Sequence, residues 1–154
     1  MNYITTEIED VLLLRWLAVT RPDVEKVVEW IGKAHNRHGG PVSYIAVVPV
    51  DSTPPESDGR RALMDGHQSI ADLCTSMRVV ILGTGMRQAI VRSISAGIML
   101  ASGLRGKGFE IDDRFESAVE SVSQVSSPTR NAIMTTALEQ GIIKQAELRT
   151  SETG

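Results

Sequence analysis

The sequence predicts an α/β fold, a mixed sheet of four to five strands begun by an N-terminal hairpin, packed by four helices, with an extra helix at the C-terminal end. Three observations carry this. Short apolar runs alternate with stretches whose apolar residues return at helical spacing, as expected of strands joined by crossover helices. The first two runs are separated only by Glu9-Asp10, which reads as the tight turn of a hairpin. Finally, Met77 to Leu100, MRVVILGTGMRQAIVRSISAGIML, reads as strand, glycine turn and buried helix, and is the stretch on which the fold is anchored.

Taken in order, Tyr3 to Glu9 forms a first strand and Val11 to Val19, VLLLRWLAV, a second. Thr20 caps a helix with Pro22 in its first turn and an apolar stripe of Val24, Val27, Val28, Ile31 and Ala34, stopping near Gly39-Gly40. VSYIAVVPV follows as a buried strand, ended by Pro49, which has no amide hydrogen for a ladder. Beyond the polar loop DSTPPESDG, a helical pattern over Arg60 to Cys74 places Leu63, Ile70, Leu73 and Cys74 inward. Val79 to Leu82 is the anchoring strand, and the helix after it has a core-facing stripe of Met86, Ile90, Ile94, Ile98 and Ala101. Gly103, Gly106 and Gly108 break the chain before a short last strand over Gly108 to Asp112, and a helix with Phe115, Ala118, Val119 and Val122 inward follows. A last helix over Thr129 to Gln140 presents Ile133, Met134, Ala137 and Leu138. The expected organisation is a domain over residues 1–125, a helical extension over 126–148 and a frayed tail over 149–154.

Composition narrows the function. With 154 residues, 42% hydrophobic and 23% charged, the chain is long enough for one ordinary core without metals or disulfides. A formal net charge of -3 with no lysine and arginine cluster argues against nucleic acid as a partner. The opening MNYITTEIED does not read as a secretory signal, and no run approaches a membrane span. The lone Cys74 reads as a small buried thiol, which suits a reducing, cytoplasmic setting.

Several motifs invite a functional reading beside a structural one. VVILGTGMRQ has the strand, Gly-Thr-Gly and helix of a dinucleotide-binding turn, but Gln88 stands where a third glycine belongs and SGLRGKG where an acidic ribose ligand belongs. Gly83, Thr84 and Gly85 therefore read as a turn needing special backbone angles, whose helix N-terminus could hold an anion with help from Arg87. The loop Asp51-Ser52-Thr53-Pro54-Pro55-Glu56-Ser57-Asp58 exposes hydroxyls, and a phosphate on Ser52 or Thr53 would add nearly two negative charges beside Asp51. The same residues are ordinary loop and capping residues, with Ser57 or Asp58 as helix cap. His35 and His38 suit a solvated helix end, and no third ligand completes a zinc pattern with them. Cys74 and His67, two turns apart on one predicted helix, are too distant for a nucleophile and base, with or without Asp65 as orienter. Asp112, Asp113 and Glu116 form an acidic helix start. Trp16 and Trp30 belong to the core or to a partner surface. The stripe of the last helix, with Ile142 and Ile143, exceeds what the sheet needs and points to a homodimer through that helix.

Residues 3 to about 124 resemble STAS domains, in particular the SpoIIAA-like branch. The resemblance rests on the hairpin leading into VLLLRWLAVTRPDVEKVVEWI, on the strand ending in VPVDSTPPES before a helix, and on GFEIDDRFESAVESV as closing strand and helix. It implies a sheet with helices packed on it, no cofactor, and a role in binding or regulation. In anti-sigma antagonist members of that family, a loop Asp-Ser with a following hydroxyl residue and glycine is phosphorylated by a kinase partner. Asp51, Ser52 and Thr53 match the first part, and Pro54 replaces the glycine.

The expected function is a non-enzymatic regulatory module that binds another protein through the Asp51 to Asp58 loop and the adjoining helix, with phosphorylation of Ser52 or Thr53 as a candidate switch. The alternative is a small anionic or lipid-like ligand held between the Gly83 to Gly85 turn and the loop at Asp51, Glu56 and Ser57.

Overall fold

The computed structural model describes residues 2–103 and 108–148. Gly106 and the expected frayed tail over 149–154 lie outside the described residues. The elements are β1 (Tyr3–Ile8), β2 (Val11–Trp16), α1 (Arg21–His38), β3 (Val42–Val48), α2 (Ser57–Ile70), a single 3-10 turn (Ala71–Leu73), β4 (Cys74–Ile81), α3 (Met86–Ser102), β5 (Phe109–Asp112), α4 (Phe115–Ser123) and α5 (Arg130–Glu139). The five strands form one mixed sheet in the order β1-β2-β3-β4-β5, antiparallel only between β1 and β2. The class read from the sequence therefore holds, opening hairpin included.

Register explains the layers. Leu12, Tyr44, Met77 and Phe109 stand side by side across the four parallel strands, as do Leu14, Ala46, Val79 and Ile111. Both rows face α1, α2 and α3. The intervening residues Val11, Leu13, Ile45, Val47 and Val80 point to the opposite face, where Phe115, Ala118, Val119 and Val122 of α4 and Ile133 and Ala137 of α5 cover them. Strands buried on both faces read as continuous apolar runs, which is why β2 and β3 were legible as VLLL and VSYIAVV.

Four expectations need correction. The helix predicted to reach Cys74 ends at Ile70, and Cys74 is the first residue of β4. The second strand stops at Trp16 rather than Val19, where the chain turns toward the Thr20 cap of α1. The surplus apolar surface of the C-terminal segment is not left for a dimer. Ile133, Ala137, Ile142, Ile143 and Leu148 fill the second core beside α4, with Met134 and Leu138 packed against it, so the surface that motivated self-association through this helix is consumed inside the chain.

The fourth concerns α3. Its buried residues are Gln88, Val91, Ile98 and Met99, while Met86 is 80% exposed and Ile90 50% exposed. Ile98 alone of the expected stripe is buried. Apolar residues run around most of this helix, so spacing alone allows two rotations. Two polar side chains select one. Gln88 donates Nε2 to Val50 O at 3.2 Å, and Arg92 donates Nη2 to Ile81 O at 3.0 Å and Gly83 O at 2.8 Å.

The C-terminal segment is clamped by a buried charge. Arg15, on the α4 and α5 side of β2, donates Nη1 to Ile142 O at 3.1 Å and meets both oxygens of Glu147 at 2.8 and 2.9 Å. Its side chain is only 5% exposed. Removing the carboxylate leaves a guanidinium in an apolar core, so Glu147→Ala is expected to cost about 3 kcal/mol in urea unfolding. Replacing both partners with apolar residues, Arg15→Met with Glu147→Leu, is expected to recover most of that loss.

Candidate functional site

The carboxyl ends of β2, β3 and β4 open on the same edge of the sheet, so the segments that follow them meet there. Ser52 N donates to Pro49 O at 3.1 Å, turning the chain back, and Thr53 N reaches Leu17 O at 3.3 Å. Ala18 and Thr53 form an isolated parallel bridge. From the other side, Arg87 donates Nη2 to Ser52 O at 2.9 Å. The Asp51 loop and the Gly83 to Gly85 turn are thus brought together, as the ligand reading required.

Gly83 has φ +87 and a Cβ there would lie 2.6 Å from Val50 Cγ2, so its glycine serves the turn and the close approach of the loop. The Arg87 guanidinium spans to the Ser52 carbonyl and ties the loop to the start of α3. Thr84 and Gly85 are exposed, and Gly85 occupies the N-cap position of α3 without a side-chain cap.

The loop hydroxyls divide. Ser52, expected to be exposed, is 4% exposed and its Oγ donates to Leu17 O at 3.3 Å. Thr53 is exposed. Neither Ser57 nor Asp58 caps α2. Glu56 holds the N-cap position without a side-chain bond, Ser57 Oγ accepts from Arg60 at 3.1 Å, and Asp58 pairs with Arg21 at 2.9 Å. Asp51, Glu56 and Ser57 are exposed as well, so the loop offers carboxylates and the hydroxyls of Thr53 and Ser57 on its outside and turns Ser52 inside.

Beneath the loop lies a cleft of about 50 Å³ between the sheet and two helices. Tyr44, Ala46, Val79 and Phe109 form its floor, Leu63 and His67 of α2 one wall, and Val91, Ser95 and Ile98 of α3 the other, with Ser52 to Pro55 as roof. Outside it, a groove of about 360 Å³ runs between the same helices, lined by Arg60, Arg61 and Met64 of α2 and by Ser93, Ile94, Gly97 and Ala101 of α3. Ile98 belongs to both. Neither feature was foreseen. The outward stripe of α3 was visible in the sequence but assigned to the core, and only Gln88 and Arg92 signalled the opposite rotation.

The other candidates resolve into structure. Trp16 is buried, and Trp30 donates Nε1 to Glu7 Oε1 at 2.7 Å, fastening α1 to β1. Burial pushes the Cys74 thiol up to about 12, and burial pushes the His67 imidazole down to about 4. A protonated thiol on β4 and a neutral imidazole on α2 do not make a thiolate and its base. Burial also raises the Asp112 carboxyl above its ordinary value, against the pull of Arg78 at 3.6 Å. Among the described residues no group of His, Cys, Asp and Glu is arranged to hold a metal ion and no helix is long and apolar enough to cross a membrane.

Comparison with family models, with curated proteins and with solved structures yields no match. Function therefore rests on the chain's own residues.

His67 supplies a pH signature. Its ring stands edge-on to Phe109, centroids 4.7 Å apart, and the folded protein takes up a proton there only near pH 4, whereas the unfolded chain does so near the ordinary 6.5. The unfolded state binds the extra proton between those values, so stability falls as pH drops through that window. Urea unfolding of the wild type is expected to show this loss relative to His67→Gln, in which the difference between about pH 7 and about pH 4.5 shrinks.

Proposed function

We propose that the protein is a regulatory interaction module that receives an acidic, amphipathic helical segment of another protein in the groove between α2 and α3. The observation that carries this is the outer face of α3. Met86, Ile90 and Leu100 are 80%, 50% and 60% exposed, three of the seven large apolar side chains exposed among the described residues and all on one helix. Exposed large apolar side chains gathered on one helix mark an interaction surface. Gly97 and Ala101 keep the groove open, and a side chain built at Gly97 meets nothing within 4 Å.

Charge selects the occupant. The charged residues lining the groove are Arg60 and Arg61, and no acidic residue lines it. A helix laid into such a groove presents apolar residues at i, i+3, i+4 and i+7 to Met64 and Ile94 and carboxylates to the arginine rim. Ser57, the first residue of α2, lines the groove, which keeps the Asp51 to Asp58 loop within reach of the partner.

The finer fold assignment, a STAS domain of the SpoIIAA-like branch, belongs to the same proposal. It is supported by the Asp51-Ser52-Thr53 loop after a buried strand and by the closing strand and helix at GFEIDDRFESAVESV. Within that reading Thr53, not Ser52, is the hydroxyl open to a kinase, because modification of Ser52 requires the loop to lift from Leu17. The module acts by binding, without chemistry of its own, in the cytoplasm.

A fluorescein-labelled synthetic helix with leucines on one face and glutamates on the other tests the groove by anisotropy. Saturable binding is expected, weakened at least about tenfold in Arg60→Glu with Arg61→Glu. Gly97→Leu is expected to abolish binding while raising stability by about 1 kcal/mol, because it fills the groove and improves helix propensity. Equal binding of the lysine-for-glutamate peptide, indifference to both variants, or binding only to phosphatidylglycerol vesicles would each overturn the reading.

A further inference from the structure

The two edges of the sheet are built differently. β5, at one edge, is four residues long and carries Glu110 and Asp112, a short and charged edge of the kind that resists pairing with another strand. β1, at the other, runs six residues as YITTEI and pairs with β2 without a shift in register. It holds no proline, lysine or bulge to discourage a further strand.

Register shows which groups of β1 are spare. Leu17 N donates to Asn2 O at 2.8 Å, so Asn2 and the alternate residues Ile4, Thr6 and Ile8 turn their amides and carbonyls toward β2. Those of Tyr3, Thr5 and Glu7 point the other way and have no protein partner among the described residues. The side chains of these three lie on the α1 face, where Tyr3 stands edge-on to Trp16 and Glu7 accepts from Trp30 and Arg37. Ile4 and Thr5 are exposed.

We propose that the β1 edge is a self-association surface, on which β1 of a second copy adds antiparallel to make one continuous sheet about a two-fold axis at Thr5. With Thr5 opposite Thr5, Tyr3 falls opposite the second copy's Glu7. Each of these pairs exchanges both of its bonds, so every outward amide and carbonyl of β1 finds a partner. The charge pattern favours this occupant. Glu7 is the only charged residue of the strand, this register keeps it away from its own copy, and its carboxylate is already held by Arg37 at 2.8 Å. On the other face Ile4, 38% exposed, meets the second copy's Thr6, a pair of β-branched side chains that suits a sheet. A two-fold axis normal to the sheet leaves α1, α2 and α3 of both copies on one side, with the groove between α2 and α3 open in each. Interface and groove are separate surfaces, so neither reading depends on the other.

Sedimentation of the full chain tests the proposal, with amide hydrogen exchange as the residue-level readout. The mass is expected to rise from monomer toward dimer between about 10 μM and about 1 mM. Over the same range the amides of Tyr3, Thr5 and Glu7 gain protection, whereas those of Ile4, Thr6 and Ile8 are protected throughout. Thr5→Lys and Thr5→Glu each set like charges face to face on the axis and are expected to weaken the dimer about fivefold, with the melting transition of the dilute protein retained. Mixed in equal amounts, the two variants are expected to pair, because lysine then meets glutamate. Thr5→Pro removes an outward amide without touching the ladder to β2 and is expected to be folded and monomeric. A monomer at every concentration, a dimer indifferent to the Thr5 variants, or failure of the mixed variants to pair would each overturn the proposal. Protection of Tyr3, Thr5 and Glu7 that appears only with an added valine-threonine hexapeptide would overturn it too, by giving the edge to a foreign strand.

Discussion

The constraint on which everything else depends is that β2 and β3 are apolar on both faces. Val11 and Leu13 face one way and Leu12 and Leu14 the other, and all four have no exposed surface. A sheet of this kind is stable only between two layers of cover. The crossover helices α1, α2 and α3 supply the first layer, and α4, α5 and the segment around Ile142, Ile143 and Leu148 supply the second. The buried guanidinium of Arg15 is part of this arrangement, since it ties the middle of the sheet to the end of the chain and leaves its charge paired.

The same constraint creates the site. The sheet needs the inner side of α3, and that side is fixed by polar anchors on Val50 O, Ile81 O and Gly83 O rather than by the apolar stripe alone. Once the helix is held in that rotation, Met86, Ile90 and Leu100 are left facing outward, and small residues at Ser93, Gly97 and Ala101 keep a trough beside α2. On the inner side, Ser95 and the neutral His67 border a space that the surrounding side chains do not close. Gly66 adds to this. A Cβ there would stand 3.1 Å from Val24 and Val28, so glycine in mid-helix allows α2 to lie close against α1. The residue that weakens the helical pattern in the sequence is the one that its packing uses.

The Asp51 loop changes meaning in three dimensions. In the sequence it is a run of hydroxyl, proline and acidic residues with equivalent serine and threonine. In the fold the two hydroxyls face opposite environments, Ser52 folded under against Leu17 and Thr53 outside, and the loop becomes the roof of the inner cleft. The roof is held by Arg87 at its Ser52 carbonyl.

By itself the sequence determined the class of fold, the order of the elements, the hairpin at Glu9-Asp10, the Thr20 cap and the inward face of α4, because each is written in local periodicity or in the chemistry of neighbouring residues. It misread Cys74 and the outer face of α3, since an apolar residue at helical spacing marks burial without saying against what. Only the tertiary structure decided which stripe of α3 meets the sheet, whether the C-terminal apolar residues were surplus, and that His67, Ser52 and Ser95 line one cleft. These depend on contacts between residues far apart in the chain, and the pairing of Gln88 with Val50, or of Arg15 with Glu147, leaves no period along the sequence to read.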